Sequence, residues 1–497
     1  MTFSAGGFRS RSNAKKGIQA VPPSSDSQSP RSQRSKTYEK SSSRFYYTPG
    51  GDPHDLLNVD LARAVAFDII YRVNEEGAYA NLALPQLLRD YRLKRRDAAF
   101  ATELTYGLLR VQGVVDAVIA HCSSRPLPEI DKGVLAALRL GTYQLLYTRV
   151  DPYAAVDSTV TLVGAIGQEK AKGFSNAILR HISRKDKEKL LESLTPHGEL
   201  EAIAFRHAHP EWIARSFAEI LGLGELEEAL HADSLRPTVH LVARPGEISA
   251  EELAAITGGE IGKYSPYAVY LKSGDPGRLE PVREGLAAVQ DEGSQLIARA
   301  LVEAELEGDD TGRWADLCAG PGGKTALIAS LARMEGARVD AVELQPHRAQ
   351  LVAQTVRNLP VTVHTADGRD SGLQPGFDRI LVDAPCSGLG ALRRRPEARW
   401  RKQEADITQL STLQYELLES AITLVRPGGV VVYSTCSPDL RETRAIVDKA
   451  VEKLPVTECD AHPFALGMEQ TGDELSVQMW PHRHGTDAMF FAVLRKN

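Results

Sequence analysis

The sequence predicts an α/β domain with a parallel sheet, preceded by an all-α domain and a small α+β unit. From about Ala287 to the C-terminus strand-like and helix-like segments alternate, the pattern of a parallel sheet covered on both faces by helices. Between 60 and 185 apolar residues recur with helical spacing only, and between 186 and 286 the two patterns mix. The expected segments are therefore a disordered basic tail (1–57), a helical domain (58–185), an α+β linker domain (186–286) and an α/β domain (287–497). Three folded segments agree with roughly 150 residues per domain.

Taken in order, residues 1–44 carry nine Lys/Arg against Asp26 and Glu39 and are rich in Ser, Gln and Pro. Without an apolar period they cannot bury enough surface to offset their ordering entropy. They lack the apolar core of a secretory signal, and read as a solvated tail or one that gathers RNA phosphates. From Asp60, Leu61, Val65, Ile69 and Val73 form one apolar stripe, and Phe100, Leu104 and Leu108 repeat the spacing after Asp97, the expected N-cap. Val134, Leu138 and Leu145, then Val160 and Val163, then Ile178 and Ile182 continue the theme. Past the charged stretch 184–189 come an amphipathic helix through Leu223, a strand at Val239–Ala243, a helix over 250–256 and a strand over 267–271. In the last domain strands are expected at 314–318, 338–343, 361–364, 377–383 and 430–433, with helices from Gly322, from Pro346 and over 406–425.

A net charge of −6 does not announce a nucleic-acid binder. No apolar run approaches the roughly 18 residues of a membrane span, so a soluble protein with no membrane partner is expected. The five cysteines (122, 318, 386, 436 and 459) are odd in number and scattered, which argues for reduced cytoplasmic thiols over a disulfide framework. No CxxC spacing is present, and no metal is expected.

Chemistry concentrates at the strand ends. The turn Cys318-Ala319-Gly320-Pro321-Gly322-Gly323-Lys324 fails the Walker A pattern, which needs glycine at Cys318, and the dinucleotide fingerprint, which needs it at Thr325. What remains is a small-residue turn whose backbone amides can approach a ligand. Glu343 ends the next strand 20 residues after Gly323, the offset at which an acid can accept from a ribose, and Asp367 follows the third strand. With Asp316, these acids beside a glycine turn point to an adenosine-containing cofactor. S-adenosylmethionine is preferred because no phosphate-binding loop is present.

Cys386 and Cys436 each close an apolar run, 379–386 and 429–436, and on neighbouring strands both sulfurs should line one cleft. Helix N-termini expected after both would favour thiolate. A methyl donor beside a thiol suggests methylation of an unreactive carbon: a thiolate added to C6 of cytosine makes C5 enamine-like. A proton donor at the N3 edge is also needed, a role suited to Asp383, and the base must leave its stack.

Two resemblances follow from particular blocks. The segments Glu103-Leu104 with Tyr106-Gly107, Leu140-Gly141 with Tyr143-Gln144-Leu145-Leu146, and Phe174-Ser175-Asn176-Ala177-Ile178-Leu179-Arg180 resemble the NusB-like RNA-binding domain. The blocks 289–295, 316–324, 382–390, Arg395-Pro396-Glu397-Ala398-Arg399-Trp400, 434–437 and 481–487 are similar to RNA cytosine-5 methyltransferases, and from about residue 58 the chain resembles the RsmB (Sun) type that acts on small-subunit (16S) rRNA.

This resemblance implies a Rossmann-like S-adenosylmethionine-dependent domain in which Cys436 adds to C6, Cys386 assists release and Asp383 holds the cytosine. The cofactor would contact Cys318–Lys324, Glu343, Asp367 and Asp383, and Arg395, Arg399 and Trp400 would contact RNA. DNA cytosine-5 methyltransferases use the Pro-Cys thiol instead, which keeps Cys386 as the rival nucleophile. Gly320 stands where the family commonly has alanine, a small-for-small change with no expected consequence. His482-Arg483-His484 reads as a structural or RNA-side loop. A monomer acting on rRNA of the small subunit is expected. The alternatives are another RNA, such as tRNA, or an RNA-binding assembly factor without catalysis.

Overall fold

The computed structural model describes residues 50–56 and 58–497, so the basic tail lies outside the described residues. Residues 50–56 belong to the folded part, which corrects the expected tail boundary. Pro53–Asp55 form a 3-10 turn capped by Asp52, and Leu56 is buried in the helical core.

Six helices build the first domain: α1 (Leu61–Glu75), α2 (Ala80–Asp90), α3 (Arg95–Cys122), α4 (Lys132–Tyr147), α5 (Pro152–Ala165) and α6 (Lys172–Ser183). Asp60, Asp131 and Asp151 cap α1, α4 and α5 by accepting from first-turn amides that have no partner inside the helix. Asp97 does not cap α3. The helix starts two residues earlier, at Arg95, and Asp97 supplies negative charge to its first turn. Leu104, Leu108, Leu138, Leu179 and Ile182, read from the periodicity or its blocks, are buried in one core. Helices Lys187–Leu194, Glu199–Arg206 and Glu211–Ser234 lead onward, the last kinked at Gly222, whose φ of 68° lies in the left-handed region.

The small unit is an antiparallel sheet of order β2-β3-β1-β4, made of β1 (Val239–Ala243), β2 (Glu260–Ile261), β3 (Ala268–Leu271) and β4 (Ala287–Val289). Because β4 pairs with β1, the expected boundary before Ala287 falls one strand early.

The second sheet has the order β10-β12-β9-β8-β5-β6-β7, with β11 paired to β12. Its strands are β5 (Arg313–Asp316), β6 (Arg338–Glu343), β7 (Val361–Thr365), β8 (Phe377–Asp383), β9 (Val425–Thr435), β10 (Val456–Cys459), β11 (Val477–Gln478) and β12 (Phe490–Lys496). From β9 to β7 the strands run parallel, as expected; β10, β11 and β12 add an antiparallel flank the sequence reading missed. Central β8 is buried along six of its seven residues, which its Ile380-Leu381-Val382 run permits. The polar residues at its start are paired: Asp378 accepts from Arg426 at 2.6 Å, and Arg379 bonds Asp310 at 2.8 Å.

Strand β5 has β6 on one side and β8 on the other, so the chain order reverses between β5 and β8. A crevice opens there at the carboxyl ends of the strands. Among the described residues no helix is long and apolar enough to cross a membrane.

Candidate active site

The glycine turn leaves β5 and opens helix Gly323–Glu335, and its acids divide into internal braces and crevice groups. Asp316 is a brace. Its oxygens accept from the Cys318 amide at 3.2 Å and Thr325 Oγ1 at 2.7 Å, and burial pushes its carboxyl up to about 7. Glu343 reaches into the turn: Oε2 accepts from the Gly320 amide at 3.1 Å, and Oε1 from the Gln345 amide at 2.9 Å. Arg348 Nε also pairs with Oε2 at 3.6 Å, so of a carboxylate's about four lone-pair sites at most two remain for hydroxyl donors such as those of a ribose.

Gly320 matters more than its small-for-small reading suggested. A Cβ at this position would lie 2.1 Å from Glu343 Oε2, so alanine would displace the acid from the turn. The missing side chain lets the Glu343 carboxylate lie against the turn, and donors and acceptors of this kind fit a nucleoside. Asp367 sits at the margin with both oxygens bonded to Arg369, which holds its carboxyl below the usual range. Cys318 faces the core, where burial raises its thiol far up, so it offers backbone rather than sulfur.

Lys324 points away from the turn. Its Nζ lies 2.8 Å from Asp383 Oδ2, and Ser434 Oγ donates to Asp383 Oδ1 at 2.9 Å. Burial alone would lower the Lys324 ammonium, but the charge and hydrogen bond of Asp383 raise it. Both Asp383 oxygens therefore accept, one from Lys324 and one from Ser434.

The two thiols meet, as expected of neighbouring strand ends. Asp383 of β8 is in register with Ser434 of β9, and beyond them the sulfurs of Cys386 and Cys436 lie 3.3 Å apart. The expected helix N-termini are absent: each cysteine is followed by a 3-10 turn, Leu389–Ala391 or Leu440–Glu442. The sulfurs also differ in their proton. The hydrogen bond from Cys386 lowers the Cys436 thiol, with help from Lys324 and Arg395, against burial and Asp383. That same bond and burial push Cys386 well up, so of the two positions expected to favour thiolate only Cys436 has its thiol lowered. In consequence Cys386→Ala, which removes the donor, moves the midpoint of Cys436 alkylation by iodoacetamide to higher pH. A midpoint that stays or falls, read by peptide mass spectrometry across a pH series, excludes this sharing.

The loop of Cys386 hangs on a group the sequence reading missed. Buried Glu442 accepts from the Ser387 amide at 2.8 Å, from Ser387 Oγ, and from Gln414 Nε2 at 3.0 Å. Gln290 also escaped a role, although its block was noted; it is buried beside Gly323 with Oε1 unpartnered.

Of the expected RNA contacts, only Arg395 is exposed, and its side chain makes no hydrogen bond or ion pair with the described residues. Arg399 is fully buried, donating to the carbonyls of Arg110 at 3.1 Å and Asp233 at 2.7 Å, while burial lowers its guanidinium to about 10. Trp400 donates from Nε1 to the Leu109 carbonyl at 2.7 Å. With these groups committed inside the protein, Arg399 and Trp400 are structural residues and not RNA contacts. His482 and Arg483 clasp Glu225, which makes the His-Arg-His loop structural too.

A parallel sheet whose switch point carries an acid-flanked glycine turn, with a helical domain ahead of it, defines a Rossmann-like methyltransferase domain with an all-α appendage. The family model for 16S rRNA methyltransferase RsmB/F matches residues 303–495, and that for the NusB family matches residues 60–184. The chain is 32% identical over 446 residues to ribosomal RNA small subunit methyltransferase B of Salmonella newport, covering 87% of this chain and 98% of that protein. It is 56% identical over 444 residues to a protein of Mycobacterium tuberculosis (strain H37Rv) named as a methyltransferase without a stated substrate, covering 88% of this chain and 97% of the other. The crystal structure of PH0851 shares the fold at a TM-score of 0.75 and 23% identity, over 90% of this chain and 99% of that one. The chain belongs to the RsmB/F family of 16S rRNA methyltransferases.

Proposed function

We propose that the protein transfers a methyl group from S-adenosylmethionine to C5 of a cytosine in small-subunit rRNA through a covalent bond between Cys436 Sγ and C6. The observation that carries this reading is the thiol pair, 3.3 Å apart at the switch-point crevice, with the Cys436 thiol lowered and the Cys386 thiol raised by the bond between them. Membership in a family of 16S rRNA methyltransferases supports the substrate class. On this reading the protein works as a monomer in the cytoplasm.

The Cys436 thiolate adds to C6 and pushes electron density to C5. Lys324, paired with Asp383, donates to the polar edge of the base and stabilises the charge that addition places there. S-adenosylmethionine, when bound by the turn and Glu343, supplies the electrophilic methyl group. A base, such as a water molecule, then takes the C5 proton, the C5–C6 double bond re-forms and Cys436 leaves as a thiolate, which Cys386 assists by hydrogen-bonding the departing sulfur.

Incubating the protein with S-adenosylmethionine labelled in its methyl group and unmodified rRNA tests this. Label in 5-methylcytosine of small-subunit rRNA is expected. Binding without transfer, or label only in tRNA, overturns the reading.

A further inference from the structure

Contact between the two active-site sulfurs gives the pair a chemistry that needs neither RNA nor methyl donor. All five cysteines are free, and these two are partly exposed. Their sulfurs lie 3.3 Å apart, and a disulfide bond is about 2.0 Å long, so closure asks for roughly 1.3 Å of approach. Side-chain rotation can supply that, because the backbone already holds the two segments side by side. Asp383 and Ser434 are register partners on neighbouring parallel strands, and the Ala384 amide donates to the Ser434 carbonyl at 2.9 Å. The Gly390 amide donates to the Cys436 carbonyl at 2.9 Å. One residue beyond the thiols, Ser387 Oγ and Ser437 Oγ lie 3.1 Å apart. Neighbouring strands run about 4.8 Å apart, inside the roughly 4.4–6.8 Å that disulfides span between Cα atoms.

The pair is also unequal. Cys436 is the thiol lowered and Cys386 the thiol raised, and a thiolate is the form that reduces a hydroperoxide. An oxidised thiol with no second thiol in reach goes on to sulfinic acid, which ordinary thiols do not reverse. Cys122 ends α3, Cys459 ends β10 and Cys318 follows β5. Among the described residues only Cys386 has its sulfur in contact with that of Cys436.

We propose that Cys386 is also a resolving thiol: after a hydroperoxide oxidises Cys436, Cys386 closes a reversible disulfide with it that switches the enzyme off and preserves its nucleophile. In the first step the Cys436 sulfur attacks the hydroxyl oxygen of the peroxide and the O–O bond breaks. Cys436 becomes a sulfenic acid, and the other oxygen takes a proton from solvent and leaves as water or an alcohol. In the second step the Cys386 sulfur attacks the Cys436 sulfur and the S–O bond breaks. The departing hydroxide takes the Cys386 proton and leaves as water, so two electrons have passed from the thiols to the peroxide. A dithiol reductant returns both thiols by exchange and is itself oxidised to a disulfide. With both sulfurs in the bond, neither addition to C6 nor release can proceed. This rests on the reading of Cys436 as the nucleophile.

The test takes the full chain, reduced and freed of reductant, and treats it with a small excess of hydrogen peroxide in the absence of RNA and methyl donor. Free thiols are then blocked with iodoacetamide and the peptides weighed without reduction. The expected product is the Cys386 peptide joined to the Cys436 peptide, lighter by two hydrogens than the reduced pair. Methyl transfer by the treated protein should fall at least about tenfold and return after dithiothreitol. Cys386→Ser keeps the size of the side chain and removes the resolving sulfur. In that variant Cys436 should accumulate as sulfinic acid, and dithiothreitol should not restore its alkylation.

Four results overturn the proposal: both thiols left free, Cys436 as sulfinic acid beside a free Cys386 in the wild-type chain, a disulfide from either thiol to Cys122, Cys318 or Cys459, or equal recovery of Cys436 alkylation in wild type and Cys386→Ser. The linkage is read by mass without RNA or methyl donor. Its failure is therefore distinct from failure of the proposed chemistry, which would show as methylation surviving in Cys436→Ala.

Discussion

Cys436→Ala abolishes methyl transfer, by at least about three orders of magnitude, whereas Cys386→Ala leaves the protein joined covalently to its RNA. The asymmetry follows from the shared proton. With the sulfurs 3.3 Å apart, only one can be the anion, and Cys436 is the one lowered, with Lys324 and Arg395 assisting. Removing it deletes the attacking group and no other thiol replaces it, since burial and the bond to Cys436 hold Cys386 in its protonated form. Removing Cys386 leaves addition possible but withdraws the group nearest the bond that must break. Denaturing gels of each variant with labelled rRNA and S-adenosylmethionine read both outcomes. A stable adduct in Cys436→Ala and none in Cys386→Ala reverses the roles.

The second large effect is on stability. Glu442→Ala should destabilise the protein by about 2–4 kcal/mol and loosen the loop that carries Cys386. The carboxylate is fully buried and takes three hydrogen bonds, two from Ser387 and one from Gln414. Truncation strands one buried donor, the Ser387 amide, at about 1–3 kcal/mol, and leaves a cavity. Ser387 Oγ can fall back on Ser437 and Gln414 on the Pro385 carbonyl, which bounds the loss. Glu442→Gln keeps the volume but turns a donor toward a donor, so it should recover only part of the stability. Denaturant unfolding measures both. A loss under about 1 kcal/mol for Glu442→Ala would mean that the network does not hold the loop.

What was legible in the sequence was whatever local period or spacing controls. Every strand read in the parallel part exists, because apolar runs such as Ile380-Leu381-Val382 can only be buried on both faces. The antiparallel flank was not legible. Whether Phe490–Lys496 runs with or against β9 depends on the length and path of the intervening chain, not on its own residues. Motif residues divide the same way. The turn, Glu343, Asp383 and both thiols converge because strand ends of one sheet converge. Arg399 and Trp400 misled because charge and ring suit RNA and buried domain contacts alike. Only burial tells them apart, and burial is a property of the whole fold.

The sequence by itself determined the order of the domains, the crevice at the strand ends and the identity of the reactive groups, since each is set by residue type and spacing along the chain. The tertiary structure decided which thiol is lowered and which raised, which acids face the crevice, and which basic side chains remain unpaired among the described residues. Those depend on distances of a few ångströms between segments far apart in sequence, such as Cys386 and Cys436, Lys324 and Asp383, or Trp400 and Gly113.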